Sequence, residues 1–415
     1  MKGKQLLAAL LAAACVLSAS GCAAKGAGAA DLTKNVKKTQ QVVCPDEDAL
    51  TQTTGAMTGF GVKLLQSEME NENPLLSPLS IIAALSMTAN GAQGETKTQM
   101  ESVLGANTET LNSVFSALWS EKSKDEQLKL ANSIWFKDTP TLHVEDAFLQ
   151  KNADCFGAGI YSAPFDASTK QAINDWVKRS TDGMIPEILD EIPEDAVMYL
   201  VNALAFDAKW ERIFKTTQVH TGRFTSREGV EQTGEFLYGE SSQFLSGEHA
   251  EGFLKFYEGQ KYAFAALLPE EGMEIGEFVS GLTGEALHAI LSSPQNEIVE
   301  FGLPKFKAEF DTELSESLIA LGMTDAFDGA LADFSALGSS QEGNIFISRV
   351  LHKTFIQVDE AGTKAGAATA VEMTTEGAMQ YPHSVYLERP FVYMIVDMET
   401  RLPVFLGVLT ALAEV

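Results

Sequence analysis

The sequence predicts an α+β fold in one large domain, and three observations carry that prediction. Apolar residues spaced for helix faces crowd the chain as far as Thr181. From Arg223 onward short β-like runs dominate. No linker, internal repeat or low-complexity segment divides the body after about residue 50. A length of 415 residues would allow two or three domains, but large mixed folds run this long as one unit.

The N-terminus reads as an export signal. Lys2 and Lys4 precede an apolar run, Leu6 to Leu17, that is too short to span a bilayer as a mature helix. Ser18, Ala19, Ser20, Gly21 and Cys22 follow, so residues 1–21 are expected to be a signal peptide. The Ser-Gly-Cys ending resembles a bacterial lipoprotein cleavage box, in which Cys22 becomes the lipidated first residue. Ala19 stands where that pattern prefers a larger aliphatic residue, which leaves ordinary signal-peptidase cleavage open. Residues 22–50, rich in small, Lys and Thr residues, are then a flexible tether, and residues 51–415 the folded domain. The expected location is outside the cytoplasm, as a cell-surface lipoprotein or an extracellular protein. Of four cysteines only Cys44 and Cys155 would remain free. Export permits a disulfide between them, and one distant pair does not predict it.

Within the domain, Ala56 to Glu70 places Phe60, Leu64 and Leu65 on one helix face. Asn73 to Ile82 breaks that helix and opens a buried one, with Ser77, Pro78 and Ser80 suited to a helix start. Gly91 to Leu104 and Thr108 to Trp119 are further helices, and Gln127 to Phe136 is a strand. Ser168 to Thr181 is an amphipathic helix carrying Ile173, Trp176 and Val177. Val197 to Phe206, continuously apolar around Asn202, reads as a central strand. Phe253 to Tyr257, Tyr262 to Leu268 and Glu297 to Leu303 are strands as well. A β-like run, Asn344 to Val358, and a β-rich block from Val385 flank the segment Asp359 to Met373.

That segment has two unequal faces at period two. Thr363, Ala365, Ala367, Thr369, Val371 and Met373 carry no charge, whereas Lys364 and Glu372 lie on the other side. By composition alone it would be a helix or a flexible linker. Gly362 and Gly366 oppose the helix, each costing about 1 kcal/mol relative to Ala. Ala and Gly are poor intrinsic strand formers, so nothing local makes it a strand.

Enzyme signatures are absent. The chain has no GxSxG elbow, HExxH, P-loop or dinucleotide fingerprint, no CxxC or zinc spacing, and its six histidines are scattered. Neither a catalytic site nor a metal or other cofactor is expected. A net charge of −27 disfavours nucleic acid, heparin-like polyanions and anionic membrane surfaces as partners, leaving a lipid anchor as the membrane link.

Six ordered motifs point to one family. Asn73-x-x-x-Ser77-Pro78-x-Ser80-Ile81, Asn202 through Phe206, Trp210 and Phe214, Leu303-Pro304-Lys305-Phe306-Lys307 and Leu321 to Phe327 come first. Glu360-Ala361-Gly362-Thr363, with the small residues up to Thr369, and Arg389-Pro390-Phe391 with Val404-Phe405-Leu406-Gly407 complete the set. Together they resemble an inhibitory serpin over roughly Thr54 to Thr410. The resemblance implies a three-sheet core with about nine helices and an exposed reactive-centre loop at about 360–385.

It also implies roles. Glu360, Gly362, Thr363, Ala365, Ala367, Ala368 and Thr369 become the hinge that enters the central sheet after cleavage. Ser77, Ser80, Asn202 and His352 become a polar cluster closing two sheet strands, and Trp210 lies below the point of entry. The loop would be bait for a serine protease, whose acyl-enzyme is trapped when the hinge inserts; some cysteine proteases are a further implied class. Seventeen residues from Glu360 place the scissile bond at Glu376-Gly377. Counting back from Pro390 points near Met379, with Thr375 and Ala378 as other candidates. The absence of Lys or Arg between Lys364 and Arg389 disfavours a trypsin-like target and leaves elastase-like or Glu-preferring proteases, with chymotrypsin-like ones open if Met379 or Tyr381 precedes the bond. The protein would be a monomer. Two other readings stand beside this one: a non-inhibitory serpin that binds or carries a ligand, and an acidic solute-binding or scaffold lipoprotein.

Overall fold

The computed structural model describes residues 29–36, 47–122, 125–193, 196, 198–341, 343–363 and 381–412. The chain opens with β1 (Ala30–Asp31), α1 (Glu47–Ser67), β2 (Leu75–Leu76), α2 (Pro78–Ala89), α3 (Gly94–Leu104) and α4 (Thr108–Lys122). Then come β3 (Leu128–Lys137), β4 (Leu142–Val144), α5 (Asp146–Phe156), β5 (Gly159–Ala163), α6 (Ala167–Ser180), β6 (Met198–Phe206) and β7 (Ala208–Lys209). The β-rich half holds β8 (Val219–Thr225), β9 (Glu231–Ser241), β10 (Phe244–Gly247), β11 (Ala250–Phe256) and β12 (Tyr262–Pro269). After α7 (Ile275–Gly281) and α8 (Gly284–Ser292) follow β13 (Val299–Pro304), β14 (Phe306–Glu313), α9 (Ser315–Ala320) and β15 (Gly338–Ser340). The last strands are β16 (Leu351–Val358), β17 (Gly362–Thr363), β18 (His383–Tyr386), β19 (Phe391–Asp397) and β20 (Pro403–Leu409). Nine α-helices among the described residues match the expected number.

The central sheet is built in two parts, β1-β5-β3-β6 and β14-β16-β17-β7. β7 directly prolongs β6, so the parts meet at one end. Elsewhere β16 runs beside β6 with no backbone ladder between them among the described residues. Behind this sheet lies α2, buried along its whole length because it packs between the central sheet and the second sheet, β10-β11-β12-β19-β20-β2. Ser77 caps α2 by accepting from the Ser80 N–H, and Pro78 occupies its first turn. A third sheet, β18-β13-β9-β8, sits beside the point where the central sheet's parts meet. Burial follows the sequence pattern. In β14, Phe306, Ala308 and Phe310 point inward while Lys307, Glu309 and Asp311 face water. β19 and β20 are buried at every position, as their continuous apolar runs require.

Several boundaries differ from the sequence expectation. α1 starts at Glu47 rather than Ala56, because its Thr-rich first turns satisfy their hydroxyls internally: Thr53 donates to the Ala49 carbonyl and Thr58 to that of Thr54. The β-like run from Asn344 joins a ladder only at Leu351. Residues 30–36, inside the expected tether, lie against the domain: Ala30 and Asp31 pair with Ser162 and Tyr161 on the outer edge of β5. Asp31 accepts from the Thr33 N–H and hydroxyl, which turns the chain so that Leu32 and Val36 pack on the core. Cys155 is buried in α5 and its thiol is pushed up to about 11 by desolvation, so it stays protonated; Cys22 and Cys44 lie outside the described residues.

One buried ion pair ties the helical half to the β half. Lys122, at the end of α4, meets Asp397, at the end of β19, at 2.5 Å, and both side chains are almost fully buried. The Asp397 carboxylate also accepts from the N–H groups of Glu399 and Thr400 and from the Thr400 hydroxyl. Lys122→Met is expected to lower unfolding free energy by about 3–5 kcal/mol, since it strands a buried carboxylate. Urea unfolding checks this; a loss below about 1 kcal/mol would mean that the pair is hydrated.

Candidate functional site

The site begins where β16 ends. Asp359 turns the chain back on itself: its carboxylate accepts from the N–H groups of Ala361 and Gly362 at 2.9 and 3.2 Å. Its own N–H donates to the Gly362 carbonyl. The turn sends Gly362 and Thr363 into the sheet as β17, flanked by β16 on one side and β7 on the other. Thr363 lies opposite Val358 and Ala208, and Gly362 opposite Lys209. Only glycine fits at 362, since a Cβ there would lie 2.1 Å from the Ala208 carbonyl oxygen. Thr363, first residue of the uncharged face, is 1% exposed. Its hydroxyl meets the Tyr257 hydroxyl at 2.5 Å. Burial pushes the Tyr257 phenol well up, so it remains a hydrogen-bonding neutral group.

A second element clasps the turn from beneath. Trp210 stacks on Tyr257 at 4.5 Å and 11°, and its indole N–H donates to the Asp359 carbonyl at 2.8 Å. The backbone N–H groups of Trp210 and Phe214 donate to the carbonyls of Ala361 and Glu360 at 3.0 and 2.9 Å. Lys305 pairs with Glu360 at 2.8 Å and holds that carboxyl below its usual range. This pair is partly exposed, so it orients the hinge more than it stabilises it.

Farther down, His352 on β16 meets the start of α2 in a buried polar cluster. Ser77, Ser80 and His352 are buried together: the Ser77 N–H donates to His352 Nε2 at 3.1 Å, and the Ser80 N–H to the Ser77 hydroxyl at 3.3 Å. Nε2 is therefore an acceptor and the ring proton sits on Nδ1. Desolvation pushes the His352 pKa down to about 3, so the ring is neutral at physiological pH. The backbone of Asn202 pairs with Asn132 in the β6–β3 ladder; its side chain is outside the described residues.

Of the expected hinge, Glu360, Gly362 and Thr363 come together here. Ala365, Ala367, Ala368 and Thr369 lie outside the described residues, as do Thr375, Glu376, Gly377, Ala378 and Met379. Sequence reasoning missed Asp359 and Tyr257. The Asp-x-x-Gly spacing of Asp359 and Gly362 was a turn signal, whereas nothing local connects Tyr257 to Thr363.

Comparisons with known proteins agree with this geometry. A family model described as Serpin (serine protease inhibitor) matches residues 55–411. Human neuroserpin is 29% identical over 83% of this chain and 87% of its own length. The bovine plasma serine protease inhibitor is 31% identical over 92% and 96% respectively. The crystal structure of tengpin, a thermophilic serpin, in the native state superposes with a TM-score of 0.87 at 42% identity, covering 93% of this chain and all of that one. The chain belongs to the serpin family of serine protease inhibitors. It is not an enzyme.

The His352 environment predicts a pH dependence. Because the folded-state pKa lies below the ordinary 6.5, the unfolded chain takes the proton first as pH falls. The stability this histidine confers is complete above about pH 6.5 and drains toward pH 3, at up to about 1.4 kcal/mol per pH unit. In urea titrations between pH 7.5 and 4, the advantage of the parent over His352→Gln should shrink steadily. A constant difference would show that the ring does not titrate on unfolding.

Proposed function

We propose that this serpin is an exported suicide inhibitor of serine proteases other than trypsin-like ones, anchored through Cys22 when that residue is lipidated. The observation that supports this most is the hinge itself: Thr363 is already seated between β7 and β16, above strands that carry no ladder to each other. Neighbouring strands without a ladder among the described residues can part to admit a third. Tengpin in the latent state superposes less well than in the native state, with a TM-score of 0.78.

In this reading the protease serine attacks the carbonyl of the reactive bond, with Glu376-Gly377 the leading candidate. The peptide bond breaks, its nitrogen leaves as the new amine of the C-terminal fragment, and an ester joins loop to protease. The freed leg, residues 363–376, spans about 45 Å when extended. Each ladder bond formed along it contributes about 1 kcal/mol net. Thr363, Ala365, Ala367, Thr369, Val371 and Met373 enter as the inward face, which costs no charge burial. The protease is carried along and deformed before water cleaves the ester.

Thr363→Arg tests the mechanism. Thr363 already sits buried against Tyr257, so an arginine cannot hold that place without burying its charge; the hinge should lose its seat and the variant be cleaved as a substrate, with covalent complex falling at least tenfold on denaturing gels. Wild-type levels of complex would sink the insertion reading. A panel of elastase-like, chymotrypsin-like, glutamyl and trypsin-like proteases, with the released peptide weighed, identifies the reactive bond and target class. Cys22→Ser should shift the protein from membrane to soluble fractions; unchanged partitioning would remove the lipid anchor from the proposal.

A further inference from the structure

Residues 29–36 clip around the outer edge of the central sheet. Ala30 and Asp31 pair with Ser162 and Tyr161 on β5. Ala29 packs with Tyr161 on the face that α6 covers, whereas Leu32 and Val36 pack on the opposite face, beside α5. Leu32 lines a cavity there with Phe136, Leu142 and Leu149.

Strand register fixes where this clip lies relative to the hinge. Tyr161 and Ser162 are level with Trp135 and Phe136 on β3, which are level in turn with Tyr199 and Met198 on β6. Ala208, the partner of Thr363, lies farther along the same run of chain. From Tyr199 to Ala208 is about 30 Å of strand, at about 3.3 Å per residue. Direction points the same way. β6 runs toward the hinge, so its antiparallel partner β3 runs away from it, and so does β5, which is parallel to β3. β1 is antiparallel to β5, so the N-terminal end of β1 points away from the hinge.

We propose that this clip orients the uncleaved, lipid-anchored inhibitor on its membrane: it holds the far end of the central sheet within about 25 Å of the bilayer surface and leaves the hinge end the farther of the two, facing proteases that arrive in solution. The inference rests on lipidation of Cys22, as proposed above. Seven residue steps separate Cys22 from Ala29, and they reach at most about 25 Å however they are arranged. Without the clip the free length would run from Cys22 to Glu47, where α1 starts, with a reach of up to about 90 Å. A domain on so long a tether could turn any face to the bilayer. Surface attraction does not supply the orientation either, because a net charge of −27 is repelled by an anionic bilayer.

The test uses the full-length protein, processed in a bacterial membrane and reconstituted into phosphatidylcholine vesicles that carry a rhodamine lipid. Cys44→Ser removes one thiol, lipidation blocks that of Cys22, and the buried, protonated Cys155 stays unlabelled. A single added cysteine then takes an impermeant donor dye. It is placed by His143→Cys, beside Leu32 at the far end, or by Glu258→Cys, whose backbone meets that of Lys209 at the hinge end. Energy transfer to the vesicle should be several-fold stronger from position 143 than from 258. Leu32→Asp, which sets a carboxylate against Phe136 and Leu149, should release the clip and shrink that contrast. A Gly-Ser insert of about twenty residues after Gly26 adds about 25 Å of mean reach and should weaken transfer from both sites. Equal transfer from the two sites in the parent would overturn the proposal, as would a contrast that Leu32→Asp leaves unchanged. Dye uptake at Cys22 with protein in the soluble fraction sinks the lipid anchor itself, an outcome distinct from lipidated protein that lacks the orientation.

Discussion

The rest of the structure depends on an unfinished sheet. β6 and β16 lie side by side at the centre of the molecule without a ladder among the described residues, and only the two residues of β17 fill the opening, at one end. Two neighbouring strands that share no ladder are held together by their side chains and by the groups packed behind them, so the seam is the place where a third strand could join them. Each other feature of the site serves this seam. The Asp359 turn aims the chain at it, glycine at 362 lets two backbones close on it, and Tyr257 receives the first inward side chain.

Two buried polar sites of the molecule differ chemically. His352 is buried neutral and accepts from the Ser77 N–H, so closing the strands over it costs little charge desolvation. Lys122 and Asp397 are buried as an ion pair with further donors on the carboxylate, and they hold fixed parts of the molecule together.

Much of this was legible in the sequence because it is local. The β-like run ending at Val358 predicted β16, the continuous apolar run predicted β6, and Ser77-Pro78 predicted the start of α2. The uncharged face beginning at Thr363 was readable as a surface able to be buried. What escaped was long-range or disguised. Tyr257 meets Thr363 across the fold, and no spacing rule links them. The first turns of α1 looked like coil because their threonines carry no apolar face, although intrahelical hydrogen bonds satisfy their hydroxyls. Residues 30–36 looked like tether because a two-residue edge strand has no pattern to detect; what fixes it is the exposed ladder of β5.

In the proposed mechanism, the two segments that flank the reactive bond are fastened in unlike ways, and this decides which of them would move after cleavage. The leg before the reactive bond is held through backbone carbonyls of residues 359–361 and a two-residue strand, contacts that a longer inserted strand reproduces in kind. The leg after it enters β18, which lies parallel to β13 in a four-residue register. There Tyr381 engages Glu240, His383 meets Glu297 at 2.5 Å while stacking on Phe244, and Tyr386 meets Glu300 at 2.6 Å. Pulling this strand away would give up its ladder and these side-chain bonds with nothing to replace them. In the proposed mechanism cleavage therefore needs no further switch: one leg gains a ladder by moving, the other loses one, and the protease is joined by its ester to the leg that gains.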